Sequence, residues 1–314
     1  MGTLKLEFAF VPNNIRLSPS RPVDLGAGFV FGPATVEEVE LIRDQLLTQV
    51  GKALTTWPRY DQHCEVTSDS RGRGARWSPA GQEDWRYYVV RAPLAHAGFD
   101  DTERLLSLVA NGIDISFTVL LFDGGMRGWS PIPAHVLRRF SESSEFASEP
   151  TDLPAEALEG IADIRSRLVQ CRTKAPFIAG ALNTFAALRE VPRTSPLKIV
   201  GHCSVFEMLL TRRPRSCDDD SVSRQFRHKL CAFVQRSSSH GCWLAEDRQR
   251  TKSFWSKIYD YRSRIAHGGQ IDFDKELSGL AGYYEIEEYL CSFSRRLIRI
   301  ALEHPDVISE LKHA

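Results

Sequence analysis

The spacing of apolar residues changes along this chain, and the change limits which folds it can adopt. Over residues 4–10 and 113–121, apolar side chains alternate with others, which is the period of a β-strand. From about residue 155 they recur every three or four positions, the period of a helix with one buried face. The first such stripe comprises Leu158, Ile161, Ile164 and Leu168. The sequence therefore predicts an α+β protein, with a mixed α/β domain followed by an all-α helical bundle.

A polar tract separates the two patterns. Residues 141–152 are rich in serine and glutamate, and Pro150 and Pro154 close the tract, a composition typical of an exposed connection between domains. The chain of 314 residues is long enough for two ordinary domains. We therefore predict a mixed α/β domain over 1–145, with a sensing or regulatory role, and a helical domain over 155–314.

Local signals place further elements in the first half. Thr35 and Glu38 have the spacing of a capping box, which predicts a helix beginning there. The run 85–90 is a candidate strand, and a second helix is expected from near Asp101 to the pair 111–112.

Composition excludes several classes of protein. The formal net charge is zero, so any nucleic-acid site must be a local patch. The 7 cysteines form no CxxC pair, and neither a disulfide framework nor a zinc site is indicated. No apolar run approaches the roughly 20 residues that span a bilayer, and residues 1–8 do not resemble a signal peptide. We expect a cytoplasmic protein without cofactor, metal or membrane association.

The segment from Thr251 to His267, which two glycines follow, contains the most informative motif. Phe254, Ile258, Tyr261 and Ile265 follow one another at steps of four, three and four, so the segment is predicted to be helical, with Gly268 at its C′ position. Arg262 precedes His267 by five positions on this helix. A guanidinium and an imidazole that titrates near neutral pH are groups suited to phosphodiester chemistry.

The helical half resembles a HEPN domain, and most closely the ApeA-type branch. The resemblance covers roughly residues 155–314. It is carried by Phe206-Glu207-Met208-Leu209-Leu210 and by Ile258-Tyr259-Asp260-Tyr261-Arg262-Ser263-Arg264-Ile265-Ala266-His267-Gly268. It implies a homodimer in which the motif helices of two protomers meet and form one composite ribonuclease site. Independently, residues five apart differ by about 140° around an ideal helix, so a single chain would not direct both side chains to one point.

In this interpretation RNA supplies its own nucleophile, the 2′-hydroxyl, and no metal is required. His267 is the candidate general acid or base, and Arg262 the group that holds a non-bridging phosphate oxygen. Ser263 would orient Arg262 or contact the phosphate. Supporting roles are assigned to Glu207, Tyr259 and Asp260, and RNA contacts to Arg264, Lys257 and Arg250. Family resemblance implies 2′,3′-cyclic phosphate and 5′-hydroxyl products.

Each motif residue also has an ordinary structural interpretation. His267 would satisfy carbonyls at a helix end, and Arg262 would form a surface ion pair. Glu207 would pair with Arg262 or another motif cation, or would be a partly exposed acid. Asp260 and Arg264 are spaced for an ordinary helix-surface pair.

The leading hypothesis is an RNA-cleaving effector of anti-phage defence, a toxin controlled by a phage-derived or antitoxin-like protein. The alternative is a catalytically silent HEPN dimer that binds RNA, a nucleotide or a protein. A separate activity of the N-terminal half, through His63, Cys64, Glu65, His96 and His135, has no motif to support it.

Overall fold

The structure is a computed structural model, and it confirms the α+β class, with a sheet in the N-terminal part and helices in the C-terminal part. The chain divides into two compact units, Met1–Ser166 and Arg167–Ala314. The residues that the structure describes are 4–13, 15–50, 64–68, 75–79, 87–93, 99–109, 112–123, 125, 127–137, 151–212, 221–236, 248–269 and 282–313.

The described strands of the first unit are β1 (Leu4–Val11), β2 (Ile15–Ser18), β3 (Val23–Asp24), β4 (Val30–Pro33), β5 (Cys64–Ser68), β6 (Ala75–Pro79), β7 (Tyr88–Arg91), β8 (Thr118–Phe122), β9 (Arg127–Trp129) and β10 (Thr151–Pro154). Six of them form one sheet with strand order β3-β4-β7-β1-β8-β9, in which all neighbours are antiparallel. The antiparallel pair β5-β6 and the parallel pair β2-β10 form separate small sheets.

Helix α1 (Val36–Val50) packs on one face of this sheet. Its apolar residues Val39 and Ile42 belong to the same buried cluster as Phe8 and Phe10 of β1. The predicted capping box is confirmed: the Thr35 backbone N–H donates to Glu38 Oε2 at 2.7 Å, and the Glu38 N–H donates to Thr35 Oγ1 at 3.3 Å. The helix start is thus specified locally, and its apolar face then docks it on the sheet.

Two predicted elements of the first unit are shorter in the structure. Strand β8 begins at Thr118 rather than at Ile113, although the residues before it remain attached to β1 by bonds such as Ser116 N–H to the Phe10 carbonyl, 2.8 Å. Helix α2 (Asp100–Leu106) ends before the predicted stop. Of the predicted strand 85–90, residues 85 and 86 lie outside the described residues.

The segment 151–166, most of which the sequence analysis assigns to the helical domain, belongs to the first unit. Strand β10 pairs in parallel with β2, with Leu153 opposite Leu17. The Arg165 guanidinium donates to the Leu25 carbonyl and to Thr102 Oγ1, both at 2.9 Å. These contacts join positions far apart in sequence, which local composition does not reveal. The polar tract 141–150 itself lies outside the described residues.

The second unit is helical. After the short α3 (Glu156–Glu159), helix α4 (Ile161–Lys174) crosses the division between the units. The helices that follow are α5 (Pro176–Ala187), α6 (Leu197–Leu210), α7 (Val222–Arg236), α8 (Arg248–Ala266), α9 (Tyr283–Glu303) and α10 (Pro305–His313), with a 3₁₀ turn at Leu188–Glu190. Pro305 stands at the first position of α10, where the missing N–H of proline removes no bond within the helix.

Helix α6 is central, because it packs against α5, α7, α8, α9 and α10. The fully buried ring of Phe206 on α6 makes edge-to-face contacts with Trp255 of α8 (5.7 Å between ring centroids) and Phe293 of α9 (5.3 Å). Side chains on α6 are therefore held in fixed positions relative to α8 and α9. Among the described residues, no helix is both long and apolar enough to cross a membrane.

Candidate active site

The C-terminal end of α8 is closed by a Schellman motif. The Gly269 N–H donates to the Arg264 carbonyl at 2.8 Å, and the Gly268 N–H donates to the Ile265 carbonyl at 3.1 Å. Gly268 has φ +76°, the left-handed conformation that favours glycine at C′. The predicted helix end is confirmed, and it places His267 at the C-cap.

The apolar stripe orients α8 in the bundle. Phe254, Ile258 and Tyr261 are buried, and Ile265, the last residue but one of the helix, is half-buried. This face packs into the unit, so Arg262, which follows Tyr261, begins at the edge of the packed surface. A long side chain at such an edge can turn its charged end toward a neighbouring helix.

Arg262 is paired with Glu207 of α6. Its Nη2 donates to Glu207 Oε2 at 3.0 Å, and the two side chains are 27% and 17% exposed. Glu207 is therefore a partner of Arg262, which is the first of the interpretations given for it above. Arg262 Nε and Glu207 Oε1 are buried without a hydrogen-bond partner among the described residues, so each retains capacity for one more polar contact.

Tyr259 supports the guanidinium from the preceding turn. The Arg262 guanidinium carbon lies 5.8 Å from the centroid of the Tyr259 ring, which itself packs on Phe226 of α7 at 5.1 Å. Burial, and next the Glu207 carboxylate, raise the pKa of the Tyr259 hydroxyl, while Arg262 opposes the shift. Tyr259 is thus a neutral aromatic platform for a cation, consistent with a supporting position.

Cys203 lies near the Glu207–Arg262 pair, and Phe226 packs on the Tyr259 ring. Cys203 lies one turn before Glu207 on α6 and is fully buried, and burial raises the pKa of its thiol. Both residues appear in helical apolar stripes in the sequence, but no local pattern indicates that Cys203 lies near Arg262 or that Phe226 packs on Tyr259. An apolar environment of this kind strengthens an ion pair once it has formed.

His267 is exposed. Its backbone N–H donates to the Ser263 and Arg264 carbonyls at 3.2 and 3.1 Å. In the part of the chain that the structure describes, no hydrogen bond or ion pair joins the His267 and Arg262 side chains. A single chain thus brings Arg262, Glu207 and Tyr259 together and leaves His267 facing solvent.

The other predicted site residues lie along the same helix. Ser263 and Lys257 are half-buried, whereas Asp260 and Arg264 are exposed. The side chain of Arg250 lies outside the described residues. The RNA-binding assignments of these residues stay predictions.

We expect the Glu207–Arg262 pair to stabilise the bundle. Glu207→Ala should lower the free energy of unfolding by about 1–3 kcal/mol, because it leaves a largely buried guanidinium without its acceptor. Glu207→Gln should lower the free energy of unfolding by less, since its amide oxygen still accepts a hydrogen bond. Urea denaturation of both variants, of Arg262→Met and of the double variant Glu207→Ala/Arg262→Met measures the coupling. Strictly additive losses would show that the pair contributes nothing.

Comparison with protein-family models, with curated proteins and with solved structures finds no match for this chain.

Proposed function

We propose that this protein is a metal-independent endoribonuclease of the HEPN type, which cleaves single-stranded RNA through a composite site in a homodimer. The observation that supports the proposal most strongly is the arrangement at the end of α8. Arg262 is held by Glu207 over Tyr259, and His267 stands exposed at the glycine-closed end of the same helix.

The chemistry assigns one task to each motif residue. The 2′-hydroxyl of the RNA attacks the adjacent phosphorus as the bond to the 5′-oxygen breaks. His267 accepts the hydroxyl proton or donates one to the leaving oxygen. Arg262 binds a non-bridging oxygen and stabilises its growing charge. The products are a 2′,3′-cyclic phosphate and a 5′-hydroxyl, and no atom of water or metal enters this step.

Dimerisation follows from the directions of the two side chains. Arg262 is turned to α6 by its bond to Glu207, while His267 lies about 140° further around the helix. A two-fold axis near the end of α8 would bring the arginine of each protomer beside the histidine of the other. Ser263 lies between Arg262 and His267 in the sequence and is half-buried. It would then contact the phosphate or orient the guanidinium.

The biological role that we propose is a cytoplasmic toxin or anti-phage effector. The N-terminal α/β unit would sense infection or restrain the nuclease, with a phage-derived or antitoxin-like protein as the regulator. These parts of the proposal rest on the resemblance of the helical half to HEPN domains.

One observation favours a second candidate function, a silent HEPN dimer that binds RNA, a nucleotide or a protein. The Arg262 guanidinium already has a carboxylate partner 3.0 Å away, as in an ordinary structural ion pair. In a binding module this pair would only stabilise the fold, and the exposed His267 would only cap the helix.

Substrate chemistry separates the two candidates. We expect wild-type protein in EDTA to cut a mixed-sequence single-stranded RNA, and to leave uncut the same sequence made with 2′-deoxyribose, because that strand lacks the nucleophile. Mass spectrometry of the RNA fragments should show cyclic-phosphate ends. A melting curve in the same buffer verifies that the protein is folded. Cleavage of the deoxyribose strand, or RNA cleavage that stops in EDTA while the protein stays folded, would contradict the proposed mechanism.

A further inference from the structure

Three side chains with different ligand chemistry meet between α6 and α9. They are the His202 imidazole on α6, and the Glu287 carboxylate and Cys291 thiol, one turn apart on α9. One ligand atom from each lies within 4.8 Å of the other two. His202 and Glu287 are buried, and Cys291 is half-buried. Nitrogen, oxygen and sulfur ligands of this kind form tetrahedral zinc sites, in which ligand atoms are roughly 3.3–3.8 Å apart. Movements of about 1 Å by these side chains would reach that spacing.

A second observation concerns the orientation of His202. Ser294 Oγ donates to the Leu290 carbonyl at 2.8 Å and lies 2.8 Å from His202 Nδ1. Because the single hydroxyl proton is used on the carbonyl, His202 Nδ1–H is the donor and Nε2 carries the lone pair. Metal-binding histidines are held in this way by a partner on the other ring nitrogen.

The charges around Glu287 define what a metal ion must displace. Lys198 Nζ lies 3.3 Å from Glu287 Oε1, and Arg193 Nε lies 3.7 Å from Glu287 Oε2. Both cations are paired with the Glu287 carboxylate, and they would compete with a metal ion for its oxygens. A neutral imidazole, a carboxylate and a thiolate together balance a divalent charge.

We propose that His202, Glu287 and Cys291 bind a zinc-class divalent cation, with water as the fourth ligand, and that this cation joins α6 to α9. On binding, the Cys291 thiol releases its proton to solvent and the Lys198 ammonium withdraws from the carboxylate. The site is separate from the chemistry of Arg262 and His267 and does not depend on it. The sequence gives no sign of the site, because the ligands lie on two helices separated by some 85 positions and have no CxxC or HxxxH spacing.

The test uses the full chain and Co²⁺, a spectroscopic substitute for zinc. We expect a near-ultraviolet thiolate-to-cobalt charge-transfer absorption at one equivalent of Co²⁺, lost on addition of Zn²⁺. Cys291→Ser should remove this absorption and weaken zinc binding by more than about 100-fold. Cys171→Ser is the matched control, since Cys171 is another buried thiol of the structure and lies outside the cluster. That variant should keep the absorption.

A further variant does not depend on deleting a ligand. Lys198→Met keeps the length of the side chain and removes the cation that competes for Glu287, so it should tighten zinc binding by about tenfold. A purely structural cluster would show no such gain. Absence of the charge-transfer absorption in wild-type protein, its persistence in Cys291→Ser, or unchanged zinc affinity in Lys198→Met would overturn the proposal.

Discussion

Replacing His267 with alanine is expected to lower the rate of RNA cleavage by about 10²–10⁴-fold, the usual contribution of a general acid or base. The fold should tolerate the change, because the His267 side chain is exposed and its backbone N–H bonds are retained by alanine. Loss of an exposed side chain at the helix C-terminus accounts for at most about 1 kcal/mol of stability. Single-turnover cleavage of a defined RNA, with urea denaturation of the same samples, measures both effects.

His304 provides the matched control for this prediction. It is also exposed and also follows the end of a helix, with its N–H donating to the Ile300 carbonyl at 2.8 Å. Arg299 precedes His304 by five positions, the spacing of Arg262 and His267, but Arg299 lies outside the Glu207–Arg262 pair. The proposed site does not include these two residues, so His304→Ala should cleave RNA at the wild-type rate. If His267→Ala also matched wild type, His267 would be a helix cap and not a catalytic residue.

Elements whose signals are local could be predicted from the sequence. The alternation of Leu4 to Phe10 predicts β1, the spacing of Thr35 and Glu38 predicts the start of α1, and Gly268 predicts the end of α8. Each of these signals involves residues only a few positions apart in the sequence, and each of the three predictions is confirmed.

Elements that depend on distant partners could not be predicted. Apolar alternation from Ile113 reports burial, but only Thr118–Phe122 forms the paired strand. The parallel pairing of Leu153 with Leu17 joins two short segments, neither of which has a distinctive pattern. The edge of the first unit therefore lies beyond the boundary that composition suggests.

The candidate site likewise combines residues that a local pattern indicates with a contact between helices that it does not. The sequence places Arg262, Ser263 and His267 on one helix, but it leaves the partner of Arg262 open. Whether Glu207 pairs with Arg262 depends on how α6 and α8 pack, and the Phe206–Trp255 contact between these helices sets that packing. Helical periodicity shows which face is buried but not which helix covers it.

The positions of Arg262 and His267 in one chain bear on how two protomers would form the site. Glu207 fixes the direction of Arg262, and the Schellman motif fixes the helix end that carries His267. On an ideal helix the two side chains differ in direction by about 140°. We therefore propose that the arginine and the histidine that act on one phosphate come from different protomers.

We therefore expect two inactive variants to restore activity when combined. Arg262→Ala and His267→Ala homodimers should each cleave RNA at least about 100-fold more slowly than wild type. A heterodimer of the two, purified by different affinity tags after co-expression, retains the arginine of one chain and the histidine of the other. It should regain about half of the wild-type rate, because one of two symmetry-related pairings is intact.

The reciprocal heterodimer tests the same geometry in the opposite direction. Wild type paired with the Arg262→Ala/His267→Ala double variant has both functional side chains on one protomer, and no functional residue faces either of them across the axis. In a composite site this heterodimer should cleave as slowly as the single variants, although it carries the same number of motif side chains as the active one. Cleavage by this heterodimer, with silence of the first, would place each site within one chain and contradict the dimeric mechanism.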